Sequence, residues 1–498
     1  MALVALYISI FLAVFNFTSA IMGGAYVIGE LGGSSDIACY NVTFFGLGNA
    51  CSFPIARALT SRIGKAFGLK FFLVFLFFSL LLSGMASTFF LFVLIHLFSG
   101  FACGIIFPTA IELVSHKLSQ EQEKKFFAFL GLLTAITPVI GASVGGWMAY
   151  DYNWRWVFYL EMPLLIFCLI ALMEEKDLPI PSLPKFDKLG YFLYLVAIGS
   201  FVTAICLGEQ LDWFRSVFIS SLFIISIVFF GFFCLWEWNQ ENPFMKIRLF
   251  KNGTFCLSIF LMSTLFSAYF GMIILLSLWL RFDANYTPIW ISLLLLNMLF
   301  AGLILFIFLI KWIAKAPPFA PIFFSIGSFA ISCFYSSTFN VDVDFFRLAI
   351  ARVLAGFGLA FFFFPLLTIC LKCIPQESKA EGNAIFQTTR LLSSGLGVAV
   401  YTTIWYRRKI FYHDRLGSSL TIYQQNTTDF FSSLQDLGIK GLQADEVLEE
   451  ALLKQATALG LADCFYLMGW VMLLILGVLT VYLLTQHLQK KEKHRINI

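Results

Sequence analysis

Four ionisable side chains lie where such groups are rare, inside long apolar stretches of a 498-residue chain: His96, Glu112, Arg352 and Arg390. The first two share a stripe. In IHLFSGFACGIIFPTAIEL, His96, Gly100, Gly104, Pro108 and Glu112 recur every fourth residue, so on a helix they follow one face that drifts by about 40° per step. A small, polar, titratable stripe on an apolar helix faces protein or water rather than lipid. Histidine is the side chain whose ordinary titration lies nearest neutral pH, so His96 is suited to carrying a proton. Arg352 opens a second copy of the pattern, ARVLAGFGLAFFFFPL, with Gly356 at the same interval. Arg390 is a fixed cation in mid-stretch, which either attracts an anionic molecule or is held by backbone carbonyls.

The elements that position these groups are membrane helices. The chain is 60% hydrophobic and 12% charged, against about 25% charged in soluble domains. Fourteen apolar runs recur, near 6–28, 38–58, 69–87, 89–114, 127–150, 156–173, 189–207, 216–236, 254–280, 288–313, 319–336, 346–370, 383–405 and 463–485. Each approaches the roughly 20 residues a helix needs to cross the hydrocarbon core. A β-barrel would show short alternating strands instead. With the N-terminus inside, 21 of the 33 Lys and Arg fall on the inner loops and tail and 4 on the short outer loops. That asymmetry predicts both termini in the cytoplasm. The net charge of +4 follows from it, and no nucleic acid need be invoked. The first run lacks a charged leader and cleavage site and reads as a retained helix.

The two glycine-bearing patterns predict two related halves. Residues 1–177 and 246–498 read as six-helix bundles, with a Pro-rich linker and two inserted helices over 178–245. Such halves enclose a midplane site and rock about it. An outer loop at about 407–461 carries Phe430, Leu434 and Leu437 at helical spacing, then Val447, Ala451 and Leu452 beyond Gly438 and Gly441, which predicts two short amphipathic helices. Cys370 and Cys373 form a CxxC without a second ligand pair, so neither a metal nor a cofactor is expected. GxxxxGK[ST], HExxH, GxSxG and paired intramembrane aspartates are all missing, which leaves little ground for an enzyme or an ATP-driven pump.

The stretch TAITPVIGASVGG, 134–146, puts Gly141 and Gly145 one turn apart beside Gly146, with Pro138 loosening the helix before them. A face this small admits a close helix, here expected to be the opposite bundle. These motifs, together with Phe45-Gly46-Leu47-Gly48-Asn49-Ala50, Pro54, Arg62-Ile63-Gly64, Trp154-Arg155-Trp156, Leu211-Asp212-Trp213-Phe214, Asn242-Pro243, Tyr286-Thr287 and Thr389-Arg390, stand in an order that resembles the 14-helix major facilitator drug exporters of the EmrB/QacA type, nearest the EmrB branch.

The resemblance implies an all-α major facilitator fold and proton-driven export of small lipophilic substrates from the cytoplasmic (inner) membrane of a bacterium. Its partners would be protons, membrane lipid, and a periplasmic adaptor with an outer-membrane channel. It also implies that Asn16 stands at the family's acidic position in the first helix, His96 at the family's arginine, and Glu161 where near relatives carry an amide. Proton-coupling candidates are therefore His96, Glu161 and Glu112. Cavity candidates are Asn16, Asn49, Tyr269, Trp279, Gln387 and Arg390. Antiporter-motif and gating candidates are Pro138, Gly141, Gly145, Gly146, Arg62, Gly64, Lys65 and Arg352; the motif's proline is replaced by Ala142. A nutrient importer of the same fold and a non-transporting interaction protein are the alternatives.

Overall fold

In the computed structural model, residues 1–32, 40–177, 186–241, 243–315, 317, 319–421 and 423–496 are described. Asn242 and most of the Pro-rich linker therefore lie outside the described residues. Every element among those described is helical: α1 (Ala2–Leu31), α2 (Tyr40–Ser52), α3 (Ala56–Ile63), α4 (Lys65–Gly84), α5 (Phe89–Lys117), α6 (Gln120–Asp151), α7 (Trp156–Tyr159), α8 (Met162–Ala171), α9 (Lys188–Leu207), α10 (Val217–Asn239), α11 (Gly253–Phe282), α12 (Pro288–Lys315), α13 (Ala320–Ser336), α14 (Phe345–Ala360), α15 (Phe363–Lys372), α16 (Lys379–Ser419), α17 (Gln425–Asp436) and α18 (Leu442–Ile496). All fourteen apolar runs fall on these helices. Eight helices are long and apolar enough to cross a membrane by length and composition, and two further apolar ones are shorter.

Helices α1 to α8 pack on one another, as do α11 to α16 with α18, while α9 and α10 pair with each other and reach the rest chiefly through α9. The internal repeat is visible in this packing. A Cβ on Gly100 of α5 would lie 2.1 Å from the Phe45 carbonyl oxygen of α2, and one on Gly356 of α14 would lie 2.0 Å from that of Met298 on α12. Both glycines let two backbones touch at matching places in the two bundles.

Three runs expected as single helices are broken; one is 38–58, which divides between α2 and α3 around Pro54. In the other two, Pro365 follows the gap between α14 and α15, and Pro163 follows the gap between α7 and α8. A proline ring clashes with the carbonyl four residues earlier. That residue is Phe361 in one case, in the gap itself, and Tyr159 in the other, the last of α7. Pro108 and Pro138 remain inside continuous helices.

The outer loop also differs from expectation. Val447, Ala451 and Leu452 belong to the start of α18, which runs without interruption into the last apolar run. At 1.5 Å per residue, the 41 residues of α16 and 55 of α18 span about 60 and 80 Å, whereas the hydrocarbon core is about 30 Å thick. Both helices therefore project beyond a membrane as a hairpin, closed by α17 and by Gly438 and Gly441 in the left-handed region (φ 83° and 59°). Trp405 Nε1 donates to Thr457 O (3.0 Å), Tyr412 OH to Asp463 Oδ2 (2.9 Å), and Arg408 pairs with Asp463.

Candidate functional site

Between the two bundles lies a narrow cavity of about 50 Å³. It is lined by Ala13, Val14 and Phe17 of α1, Phe45 and Asn49 of α2, Phe53, Phe107 of α5, Pro138 of α6, Phe266, Tyr269 and Phe270 of α11, Leu359 of α14, and Arg390 and Leu391 of α16. Of the residues expected in a cavity, Asn49, Tyr269 and Arg390 are brought together here. Asn16, Trp279 and Gln387 are buried outside this lining. The aromatic wall was not singled out from sequence, because 61 phenylalanines carry no label for the few that face inward.

Arg390 is the one charged group on this lining. It is 8% exposed, and its guanidinium carbon lies 5.2 Å from the ring centroids of both Phe266 and Phe363. Its Nε has no hydrogen-bond partner, and no carboxylate pairs with it among the described residues. Aromatic faces attract a cation but do not neutralise it. Arg352, at the repeat position of His96, is fully buried in the C-terminal bundle, where Nη2 donates to Ser336 Oγ (3.2 Å) and Nε and Nη1 find no partner among the described residues.

The three titratable candidates of the N-terminal bundle are separated. His96 sits in an aromatic cage, stacked on Phe92 (5.6 Å) and flanked by Phe45 (5.2 Å) and Phe158 (5.9 Å), with neither ring nitrogen hydrogen-bonded among the described residues. Glu112 is ion-paired with Lys65 (2.6 Å) near the end of the bundle that carries the chain termini. Glu161 lies in the break between α7 and α8, 1% exposed, and takes a hydrogen bond from Asn16 Nδ2 (3.1 Å) and one from Ser19 Oγ (3.5 Å).

The glycine face of α6 does not meet the opposite bundle. A Cβ on Gly141 would lie 2.2 Å from Thr18 Oγ1 and one on Gly145 would lie 2.0 Å from Ser19 O, so this face seats α1 within its own bundle. The reason is register: the side of α6 turned to the other bundle carries Ser143, whose carbonyl accepts from Ser292 Oγ of α12 (3.3 Å). The bundles meet instead where Thr43 Oγ1 of α2 donates to Gly395 O of α16 (3.1 Å). Arg281 of α11 lies over Tyr26 and Tyr150 (4.9 and 5.9 Å), while Arg407 of α16 ties the C-terminal bundle to Glu209, just beyond α9 of the inserted pair (2.8 Å). These cross-contacts cluster toward the hairpin side. On the opposite side the ion pairs Lys65–Glu112, Lys117–Glu175 and Lys246–Glu381 each stay within one bundle.

The loop motif around Gly64 (φ 97°) is assembled inside the N-terminal bundle. Asp177, unforeseen from sequence, accepts from the Ala66 and Phe67 amides (2.8 and 3.1 Å) and so caps the N-terminus of α4. Arg62 lies over Phe186 (5.7 Å), just before α9.

Two bundles around a central apolar cavity, with cross-contacts gathered on one side, define a membrane transporter of small molecules. The chain belongs to the Major Facilitator Superfamily, which it matches over residues 6–398. It is 27% identical over 484 residues to the multidrug export protein EmrB of Escherichia coli K12, covering 95% of this chain and 93% of that one. It is 25% identical over 472 residues to the fatty acid resistance protein FarB of Neisseria gonorrhoeae, covering 94% and 93%. Solved structures with the same fold include a bacterial homologue of the lysosomal transporter Spinster, inward-facing and unoccupied (TM-score 0.62, 12% identity, 96% and 95% coverage). The nucleoside transporter NupG is another (TM-score 0.57, 12% identity, 95% and 100%). The resemblance read from the motifs thus agrees with the relatives found, and the all-helical fold is that of the superfamily.

Proposed function

We propose that this chain is a proton-driven exporter of lipophilic, predominantly anionic molecules, working by alternating access. The observation that carries this reading is Arg390, a guanidinium without a counter-ion among the described residues, on the wall of a cavity whose other lining residues, Asn49 apart, are aromatic and aliphatic. A bound monoanion with a flat or aliphatic body would supply the missing charge while its apolar part covers the phenylalanines. The names of two relatives, multidrug export and fatty acid resistance, fit such cargo. The fourteen apolar runs favour fourteen crossings, the distribution of Lys and Arg favours both termini cytoplasmic, and the relatives favour a bacterial inner membrane. In that orientation the hairpin side is outside and the conformation described is closed to it. Residues 1–177 and 246–498 serve as the rocking bundles and 178–245 as the linker and inserted pair.

The reading is tested in proteoliposomes with two probes of opposite charge, anilinonaphthalene sulfonate and tetraphenylphosphonium. A pH gradient is expected to drive the sulfonate, and Arg390→Glu is expected to shift preference to the phosphonium. Equal handling of both probes by the native chain and the variant would remove Arg390 from cargo selection. Direction of movement in everted vesicles separates export from import.

The projecting hairpin is the part suited to a periplasmic adaptor leading to an outer-membrane channel. Deletion of 410–460 is expected to abolish extrusion from intact cells while transport in vesicles continues; extrusion at the native rate would exclude that partner.

A further inference from the structure

Glu161 is a buried acid without a counter-ion among the described residues. It is 1% exposed, and the groups facing it are neutral: Asn16 and Ser19 from α1 and the Cys103 thiol from α5. No cation pairs with it among the described residues, and His96 is walled off within its own cage of Phe45, Phe92 and Phe158. The pattern of orphaned atoms is specific. Asn16 Nδ2 reaches Glu161 Oε1, yet Glu161 Oε2 and Asn16 Oδ1 both lack a partner. Both orphans are acceptors, so the acid–amide pair is short of one donor. A proton on the carboxyl supplies that donor and removes an uncompensated buried charge at the same time.

The position of the pair matters as much as its chemistry. Asn16 and Ser19 lie on the part of α1 that is clasped by the glycines of α6, where a Cβ on Gly145 would fall 2.0 Å from Ser19 O. The neighbouring residues Ala13, Val14 and Phe17 of the same helix line the cavity. Glu161 sits in the short turn between α7 and α8, two residues before Pro163. A charge appearing there has to be met by water or by movement of α1 against α8, and α1 is a wall of the cargo site.

We infer that Glu161 and Asn16 form an acid–amide pair, in which the carboxyl that couples proton movement to transport is borne by the break between α7 and α8 and the amide by α1. This rests on the reading of the chain as a proton-driven transporter and names the residue that carries the proton. The step is a protonation alone: the carboxylate takes a proton from the outer side when the cavity faces out, and releases it to the cytoplasmic side when the cavity faces in, leaving the carboxylate. Glu161 touches neither cargo nor cavity and acts through α1.

The test compares native chain, Glu161→Gln, Glu161→Asn and the exchanged double variant Asn16→Asp/Glu161→Asn in proteoliposomes, reading pH-gradient-driven accumulation of anilinonaphthalene sulfonate. Both single variants are expected to lose more than about tenfold in accumulation, and the exchanged variant to return to within about threefold of native, as for a carboxyl whose role depends on the pair and not on the strand of chain that bears it. The pH profile of the exchanged variant should be shifted from the native one, which a purely structural role would not produce. Undiminished accumulation in Glu161→Gln overturns the assignment, and so does failure of the double variant to regain it. Absence of gradient-driven movement in the native chain overturns the underlying reading of function instead.

Discussion

The two bundles share a backbone device and differ in their buried charges. Gly100 and Gly356 bring helices together at equivalent places, with Cβ clearances of 2.1 and 2.0 Å to a facing carbonyl oxygen. Four residues before each glycine, however, stand His96 in an aromatic cage and Arg352 between the Ser336 hydroxyl and the Phe465 ring. The N-terminal bundle holds an acid that a proton can neutralise. The C-terminal bundle holds two guanidinium groups that nothing within the described residues neutralises. Packing that serves both halves is duplicated, whereas charge is divided between them, which is what separate handling of proton and anion would require.

The widest gap should open between the two arginines. A charge-assisted contact to a ligand is worth about 1.5–3 kcal/mol, so Arg390→Met is expected to weaken sulfonate transport by roughly 10- to 150-fold. Arg352→Met removes an uncompensated cation from a site outside the cavity lining, and a buried charge without a counter-ion carries a desolvation cost that an apolar side chain does not. Its thermal unfolding temperature should rise or hold, with the preference for sulfonate over phosphonium unchanged. Should Arg352→Met change that preference as much as Arg390→Met, the division between the two arginines collapses.

A smaller effect probes the shared device. Alanine at Gly100 or at Gly356 has to push a backbone away, and overpacking of this kind costs about 1–3 kcal/mol. The two single variants should lose similar amounts of thermal stability in detergent. A large loss at one site and none at the other would show that the duplicated contact is tight in one bundle only.

Much of this organisation is written in the sequence because hydropathy and helical period are local properties. The apolar runs, the stripe on α5 and its echo on α14 follow from composition and spacing. What a face packs against is not local. The small face at Gly141 and Gly145 is plain in the sequence, but its partner is α1 and not the opposite bundle, and only the register of α6 decides that. The run 156–173 reads as one helix with Glu161 near its start, and nothing local to the sequence pairs that acid with Asn16. In the folded chain the run breaks between α7 and α8, and the acid faces Asn16. Asp177 capping α4 was equally hidden, since 111 positions separate it from Ala66.

The smallest effect concerns charge at the rim of the N-terminal bundle, where Arg155 donates to both oxygens of Glu30 (2.6 and 2.8 Å) and Trp154 Nε1 donates to one (2.6 Å). Hydrogen bonds from Arg155 first, then Trp154, hold the Glu30 carboxyl below its ordinary range. A carboxyl lowered on folding stabilises fully above its unfolded value, near ~4.3, and that contribution fades as pH falls through the folded value. Glu30 is 46% exposed at its side chain, and exposed pairs contribute only about 0.2–1 kcal/mol. Glu30→Gln should therefore unfold slightly earlier than the native chain at pH 7.5, keep the same deficit at pH 6, and lose it near pH 3. A deficit that persists undiminished in acid would mean that packing of Trp154, not charge, fastens this end of α1. The same chemistry, a guanidinium beside aromatic rings, is thus expected to count for little at this exposed rim and for far more at buried Arg390, with which no carboxylate pairs among the described residues.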